Sequence, residues 1–373
     1  MASIAARRLH AQRLIGKPFA SPVEAVRALT AVQSQDYGGG KWALGLRTSG
    51  VTEAVLDRLF DEGAILRTHV LRPTWHFVLP EDIRWLLKLT GPRITAGLAG
   101  RYRELELDAK VVARAHAAFA AALVGGRHLT RTELGEVLRK ARISPEGQRL
   151  PHLLGHSELV GLITSGPRRG KQHTFALLEE RAPRARRLER DEAVAELTLR
   201  YFKSHGPAQL QDFSWWSGLN LGDARRGITV AGKALTTQSI DGRDYWFDAG
   251  ASRARDGSGV AHLLPNFDEY TVAYRDRAAI MQSDRQLEPM VTLSNVVMVD
   301  GRIRGVWRRT QTRTGMRVEV RAWGPFEPPE TAAIEDAGRR LGRYLERPVE
   351  LHLGRSPPSE QTTNRLSTAS STA

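Results

Sequence analysis

The sequence contains no cysteine among its 373 residues. Disulfides, thiolate metal sites and cysteine nucleophiles are therefore excluded, and a reducing compartment is favoured. No apolar run approaches the roughly 20 residues that a membrane span requires. The N-terminal segment also lacks an apolar stretch of signal-peptide length. These absences predict a cytoplasmic protein with no membrane partner.

Lysine is scarce as well. Only 8 of the 55 basic residues are lysine and the other 47 are arginine, whereas acidic residues number 41. A codon bias could explain the choice of arginine over lysine, but it does not explain a formal net charge of +14. This surplus favours an anionic polymer as partner, because phosphate contacts made by Arg and Lys release counterions.

Helical patterns followed by two strand-like runs indicate an α+β chain. A capping box at Ser21–Glu24 opens an apolar helical pattern, and a second helix is expected from Thr52 to Gly63. Strands are expected at residues 65–70 and 74–79. The first helix is expected to end near Gln33, because the three glycines at 38–40 disfavour helix.

The same order of elements returns twice, which is typical of winged-helix units in tandem. We therefore predict three such units, at residues 1–100, 101–185 and 186–249. Residues 250–353 are predicted to form a strand-rich element with a β-hairpin at Asp300-Gly301. Residues 354–373 are rich in Ser, Thr and Pro without periodicity, which predicts a disordered tail.

Five stretches, taken in order and spacing, resemble one bacterial family, the winged-helix DNA glycosylases of the AlkZ/YcaQ type. They are A-V-Q-S-Q-D (31–36), V-L-R-P-T-W-H-F-V-L-P-E-D (70–82), H-L-L-P-N-F-D-E-Y-T-V-A-Y-R-D-R (262–277), D-G-R-I-R-G-V-W-R-R (300–309) and G-P-F-E-P (324–328). The resemblance implies tandem winged-helix units with a concave basic face for DNA. It also implies hydrolysis of the N-glycosidic bond of alkylated purines in double-stranded DNA, by a monomer in the bacterial nucleoid.

The family's catalytic motif, glutamine, any residue, then glutamine or aspartate, falls on Gln33 and Gln35. The glutamine form resembles the branch linked to protection against bulky DNA-alkylating natural products. Side chains two residues apart share a face when the chain is extended. Two amides can then hold a water molecule by accepting its hydrogen bonds, although they cannot deprotonate it strongly. Such a pair suffices when the leaving base already carries a positive charge, as in N7- or N3-alkylpurines. The alternative is that both glutamines cap a helix end or lie on the surface.

Three further residues are candidates to support this motif: Asp36, Arg72 and His76. Asp36 could act on the same water, although capping or an ion pair is favoured. His76 could contact the lesion or a phosphate, although packing is favoured.

Asp268-Glu269 could be an acid/base pair or could bind Arg275 or Arg277, and the latter is favoured. His152 and His156 have the spacing of a metal pair but no supporting ligands, so no metal or organic cofactor is expected.

The hairpin at Asp300-Gly301 carries four arginines that are expected to contact DNA: Arg302, Arg304, Arg308 and Arg309. Arg302 and Arg304 alternate with Ile303 and would leave one face near the turn, where they would suit the minor groove. The alternative is a solvated ribbon. A rival function for the whole chain is a winged-helix transcriptional regulator without catalysis, which would dimerise on a palindrome. A weaker rival is a structural nucleoid protein.

Overall fold

The computed structural model describes residues 3–251, 259–281 and 293–355, and it combines helices and strands as predicted. The predicted tail lies outside the described residues from position 356 onward. Within the described residues, no helix is both long and apolar enough to span a membrane.

The N-terminal group of elements forms a three-stranded sheet, in the order β1-β3-β2, between helices. Its elements are α1, Ile4–Ala11; α2, Pro22–Leu29; β1, Val32–Gln33; α3, Tyr37–Arg47; α4, Glu53–Glu62; β2, Leu66–Val70; and β3, Thr74–Val78. The helices α5, Ile83–Gly97, and α6, Ala99–Glu104, follow it. The predicted helix after Thr52 and both predicted strands are confirmed.

The middle group repeats this order, with a sheet in the order β4-β6-β5. Its elements are α7, Ala109–Leu123; β4, Leu129–Thr130; α8, Arg131–Lys140; α9, Arg149–Leu159; β5, Ile163–Ser165; and β6, Thr174–Leu177. The short helix α10, Leu178–Arg181, closes it. Thr130 and Glu133 form the reciprocal cap that starts α8.

The third group has the same order once more, except that the bridge between Ala208 and Trp246 replaces its first strand. Its elements are α11, Arg190–His205; α12, Leu210–Ser217; α13, Leu221–Ala231; β7, Leu235–Ile240; and β8, Arg243–Asp248. Thus each group places a short extended segment beside the last strand of its ribbon.

The C-terminal element is a five-stranded sheet in the order β13-β12-β11-β10-β9. It comprises β9, Ala261–Leu264; α14, Glu269–Val272; β10, Val296–Val299; β11, Arg302–Gln311; β12, Met316–Ala322; α15, Pro328–Leu345; and β13, Val349–Arg355. The hairpin at Asp300-Gly301 is confirmed, because Val299 pairs with Arg302 across it. The sequence pattern predicts the first hairpin strand over residues 290–299, and residues 290–292 lie outside the described residues.

The expectation that the three glycines disfavour helix is wrong. Gly38–Gly40 lie in the first turn of α3, which Asp36 caps by accepting a 2.8 Å hydrogen bond from the Gly39 amide. A Cβ on Gly39 would lie 2.7 Å from the Asn266 side chain, and one on Gly40 would lie 2.9 Å from Phe77. Glycine therefore lets α3 pack tightly, and this packing sustains a helix that propensity alone would not favour.

Helix α3 joins the N-terminal group to the C-terminal sheet in one hydrophobic core. Trp42 and Leu44 of α3 are buried with Leu263 and Met298 of the sheet. The Trp42 indole also donates a 2.7 Å hydrogen bond to the Leu263 carbonyl. The segment that precedes α3, which carries the two glutamines, is therefore fixed from both sides.

Candidate active site

The segment Gln33–Asp36 runs from β1 to the N-terminus of α3, and the chain bends at Gln35 and Asp36. Gln33 pairs with His76 of β3, and the Ser34 amide continues the ladder with a 2.8 Å hydrogen bond to the Trp75 carbonyl. Gln33 is buried and Gln35 is exposed. Both glutamine side chains contact the same stretch of chain, since Gln33 bonds to Arg72 and Gln35 bonds to Trp75.

From the described residues, the side-chain oxygens of Gln33 and Gln35 accept only long hydrogen bonds. The Arg72 Nη2 atom lies 3.4 Å from Gln33 Oε1, and the Trp75 backbone nitrogen lies 3.3 Å from Gln35 Oε1. Each carbonyl oxygen has two lone pairs. Each amide therefore retains capacity to accept a hydrogen bond from a water molecule.

The buried Glu269 side chain binds the backbone of the motif. Its Oε1 atom accepts a 2.7 Å hydrogen bond from the Gln33 amide, and its Oε2 atom accepts one of 2.9 Å from the Trp216 indole. Burial by itself raises the pKa of Glu269, but His205, His76 and the Gln33 amide together lower it to about 2. The carboxylate is therefore ionised at neutral pH, and its oxygens are engaged by donors rather than free to accept a proton.

Arg67 holds the same segment from β2. Its Nε and Nη2 atoms donate to the Ser34 carbonyl at 3.1 Å and 2.9 Å, and its guanidinium lies 4.4 Å from the centre of a Trp75 ring. Burial lowers the pKa of Arg67 to about 10, so the group stays cationic at neutral pH. Sequence reasoning missed Arg67, and it named Glu269 without linking it to the glutamines, because no local pattern connects these positions.

The other residues expected near the motif lie as follows. Asp36 is the cap of α3, as favoured from the sequence. His76 is fully buried, with Nδ1 2.9 Å from the Thr74 carbonyl. Its Nε2 atom has no hydrogen-bond partner in the part of the chain that the structure describes. Burial lowers the pKa of His76 to about 4, so the ring is neutral at pH 7. Arg72 donates its long hydrogen bond to the Gln33 side-chain oxygen.

The expected link between Asp268-Glu269 and Arg275 or Arg277 is wrong. Asp268 forms two 2.8 Å hydrogen bonds with the buried guanidinium of Arg47, and Glu269 binds Gln33 and Trp216. The reason is that Asp268 caps α14, which turns both carboxylates toward the interior.

The four hairpin arginines have different surroundings. Arg302 is exposed, Arg304 forms an ion pair with Glu330, and Arg308 donates a 2.5 Å hydrogen bond to Glu319. Arg309 lies next to the motif, since its Nη2 atom is 3.1 Å from where a Gly38 Cβ would be.

The turn of this hairpin does not protrude from the protein. Gly301 is buried beside Ala5 and Leu9 of α1, and the Tyr270 hydroxyl donates a 3.0 Å hydrogen bond to its carbonyl. This packing does not support insertion of the Asp300-Gly301 turn into a groove.

The predicted histidine pair lies on α9. His156 Nδ1 is 3.1 Å from His116 Nε2 of α7, and the His152 ring lies edge-on to Tyr102. Among the described residues, no three His, Asp or Glu side chains are grouped as metal ligands would be.

Comparisons with known proteins agree with this architecture. The family model described as DNA glycosylase AlkZ-like matches residues 26–344. A curated relative, the interstrand DNA cross-link repair glycosylase of Streptomyces sahachiroi, is 26% identical over 328 residues, which cover 80% of this chain and 85% of the relative. The solved structure of Streptomyces sahachiroi DNA glycosylase AlkZ superimposes with a TM-score of 0.73 at 23% identity, covering 94% of this chain and 99% of that one. Because the family model spans most of the sequence, the chain is an enzyme of the AlkZ-like DNA glycosylase family.

Proposed function

We propose that this enzyme hydrolyses the N-glycosidic bond of purines alkylated at N7 or N3, including bulky adducts and interstrand crosslinks. It acts as a monofunctional glycosylase that leaves an abasic site. Gln33 and Gln35 hold the attacking water and orient it toward the sugar. The name of the Streptomyces sahachiroi relative, which is a cross-link repair glycosylase, supports the crosslink as substrate.

The observation that carries this proposal is the state of the carboxylates around the motif. Glu269 accepts a hydrogen bond from the Gln33 backbone N–H, Asp36 caps α3, and Asp268 pairs with Arg47. A site whose acids are engaged in this way lacks a strong general base. It can cleave a bond only when the leaving group is already activated, and a cationic alkylpurine departs as a neutral base. Two amide dipoles then suffice to place the water and to stabilise positive charge on the sugar.

We also propose that the three groups of elements are winged helices whose shared concave face binds duplex DNA. The repeated element order, with the first strand or bridge pairing with the last, supports this assignment. The proposed boundaries are those expected from the sequence, at residues 1–100, 101–185, 186–249 and 250–353. The hairpin arginines belong to the DNA face, with Arg309 nearest to the motif. Three units in one chain would let the enzyme act as a monomer.

The test is base release from defined duplexes under single-turnover conditions. Purified protein is incubated with a duplex containing one N7-methylguanine, and separately with a duplex crosslinked through guanine N7. We expect free N7-methylguanine and an unhooked crosslink, and both should persist in EDTA because no metal takes part. Intact lesions with tight duplex binding would contradict the proposed substrates.

A further inference from the structure

Trp215 is a large apolar side chain that stays 44% exposed beside the motif. It lies on α12, and its indole nitrogen donates a 3.1 Å hydrogen bond to the Val272 carbonyl of α14. Gly218, at the end of α12, abuts the turn between β2 and β3, since a Cβ there would lie 2.5 Å from the Leu71 carbonyl. Three separate parts of the chain therefore meet around this one ring.

Two arginines from these parts lie over the indole. The Arg72 guanidinium is 5.7 Å from a ring centre and the Arg277 guanidinium is 5.8 Å away. Arg277 is held by a 2.9 Å hydrogen bond from Nε to the Thr271 carbonyl. Arg72 contacts the side-chain amide of Gln33, and its buried Nε atom has no hydrogen-bond partner among the described residues.

Neither arginine forms an ion pair with a carboxylate of the described residues. The acids that come near are already occupied: Glu269 by Gln33 and Trp216, and Asp212 by Arg8 and by backbone amides. Burial lowers the pKa of both arginines, and Arg72 lowers that of Arg277 further. Glu269 partly offsets this effect on the pKa of Arg72, and Asp212 does so for Arg277. Two like charges near each other with no directly paired carboxylate are still costly, and an anion between them would lower that cost.

We propose that Arg72, Arg277 and Trp215 form a clamp for one backbone phosphate of the lesion-bearing strand. Guanidinium groups bind phosphate oxygens in pairs of parallel hydrogen bonds, and the indole supports both groups from their apolar side. Because Arg72 also contacts Gln33, the bound phosphate is one that flanks the nucleotide whose sugar faces the glutamine pair. This assignment rests on the proposed catalytic role of Gln33 only for the identity of that nucleotide.

The test measures binding rather than base release. A duplex carrying a tetrahydrofuran abasic analogue is prepared with a neutral methylphosphonate at each phosphate within three nucleotides of the analogue in turn. We expect one or two adjacent positions to weaken binding by the parent protein by about tenfold, the scale of a lost charge-assisted hydrogen bond. Arg277→Met should weaken binding of the all-phosphate duplex by a similar factor, and it should bind the sensitive methylphosphonate duplex with no further loss.

Arg226→Met serves as the matched control, because Arg226 is an exposed arginine paired with Asp191 in the third group. Its effect should be additive with every methylphosphonate. Arg277→Lys, which keeps the charge but loses the fork, should give an intermediate loss at the same position and covers the case in which Arg277→Met does not fold. Additive effects of both Arg277 variants at all positions would overturn the clamp. Since an abasic analogue needs no base release, a failure of the glutamine mechanism would leave this outcome unchanged.

Discussion

Two arginines of the middle group, Arg139 and Arg169, differ from the arginines around the glutamines in the groups that they bind. In the middle group, Arg139 bonds to Glu136 and Glu146, and Arg169 bonds to Glu133, all at the surface. Such exposed pairs contribute about 0–1 kcal/mol each to stability.

Around the motif, the guanidinium groups face backbone carbonyls and an amide instead of carboxylates. Arg67 donates to Ser34, Arg277 to Thr271 and Arg72 to Gln33. Burying a cation in this way opposes folding, because the lost hydration is only partly replaced. Under the proposed function, the charge that remains around the motif is available to the substrate, whereas Arg139 and Arg169 are neutralised by glutamates.

The largest effect is expected when the glutamines of the motif are replaced. Gln33→Ala and Gln35→Ala should each lower single-turnover base release by roughly 10²-fold or more, on the scale of removing one transition-state dipole. Binding of undamaged duplex should stay near that of the parent, because both residues are assigned to the water. Rates within a factor of two of the parent for both variants would refute the assignment.

The second largest effect is expected from removing the Arg67 guanidinium, which binds the backbone of the motif. Arg67→Met breaks both hydrogen bonds to the Ser34 carbonyl. We expect the rate constant for base release to fall at least ~10-fold, because small displacements from reactive geometry cost rate strongly. The enzyme concentration needed to saturate the single-turnover rate should change little. A change confined to DNA affinity would show that Arg67 contacts DNA instead of positioning the motif.

Acid should destabilise the buried side of the site. Burial lowers the pKa of His76 to about 4 and that of His262 to about 3, from an ordinary value of 6.5. As pH falls below 6.5, these two histidines bind protons in the unfolded chain but stay neutral in the folded chain. The free energy of unfolding should therefore decrease, by up to about 2 kcal/mol per histidine at pH 5.

Below pH 4.5 the loss should grow further, since Glu269 has its pKa lowered to about 2 and stabilises the fold only while ionised. Urea unfolding at pH 7, 6 and 5 measures the trend. His76→Asn, which can keep a donor near the Thr74 carbonyl, should have a shallower pH dependence than the parent. An unchanged slope would show that His76 titrates alike in both states.

The smallest effect separates two neighbours on β11. Arg309→Ala should weaken duplex binding by about 1 kcal/mol and should reduce the slope of log affinity against log salt by about one. Arg308→Ala should do less, because Arg308 is already paired with Glu319. Arg139→Ala is the surface control. Equal losses for Arg308 and Arg309 would mean that ion pairing does not predict which arginines meet DNA.

Local signals in the sequence located most elements correctly. The Thr130 cap, the Gly63 stop after α4 and the Asp300-Gly301 turn each depend on residues within a few positions of one another. The start of α3 could not be predicted in this way. Its glycines are explained by Asn266 and Phe77, which approach from elsewhere in the fold.

The candidate site shows the same division. Gln33, Gln35 and the capping role of Asp36 were accessible from a short motif. Glu269 lies 236 residues from the Gln33 amide that it binds, and no spacing rule connects two such positions. Contacts of this kind depend on tertiary packing, which only the folded structure supplies.

The tight approach of α3 to the C-terminal sheet makes the proposed catalytic motif inseparable from the far end of the chain. A fragment ending at residue 249 would contain every glutamine of the motif and all three repeated groups of elements. It would nevertheless leave the buried Gln33 amide without an acceptor and Trp42 without its Leu263 partner. The architecture is repetitive, yet it cannot be dissected into a free-standing catalytic module and an appended sheet. Attempts to transplant this activity would have to carry both halves together.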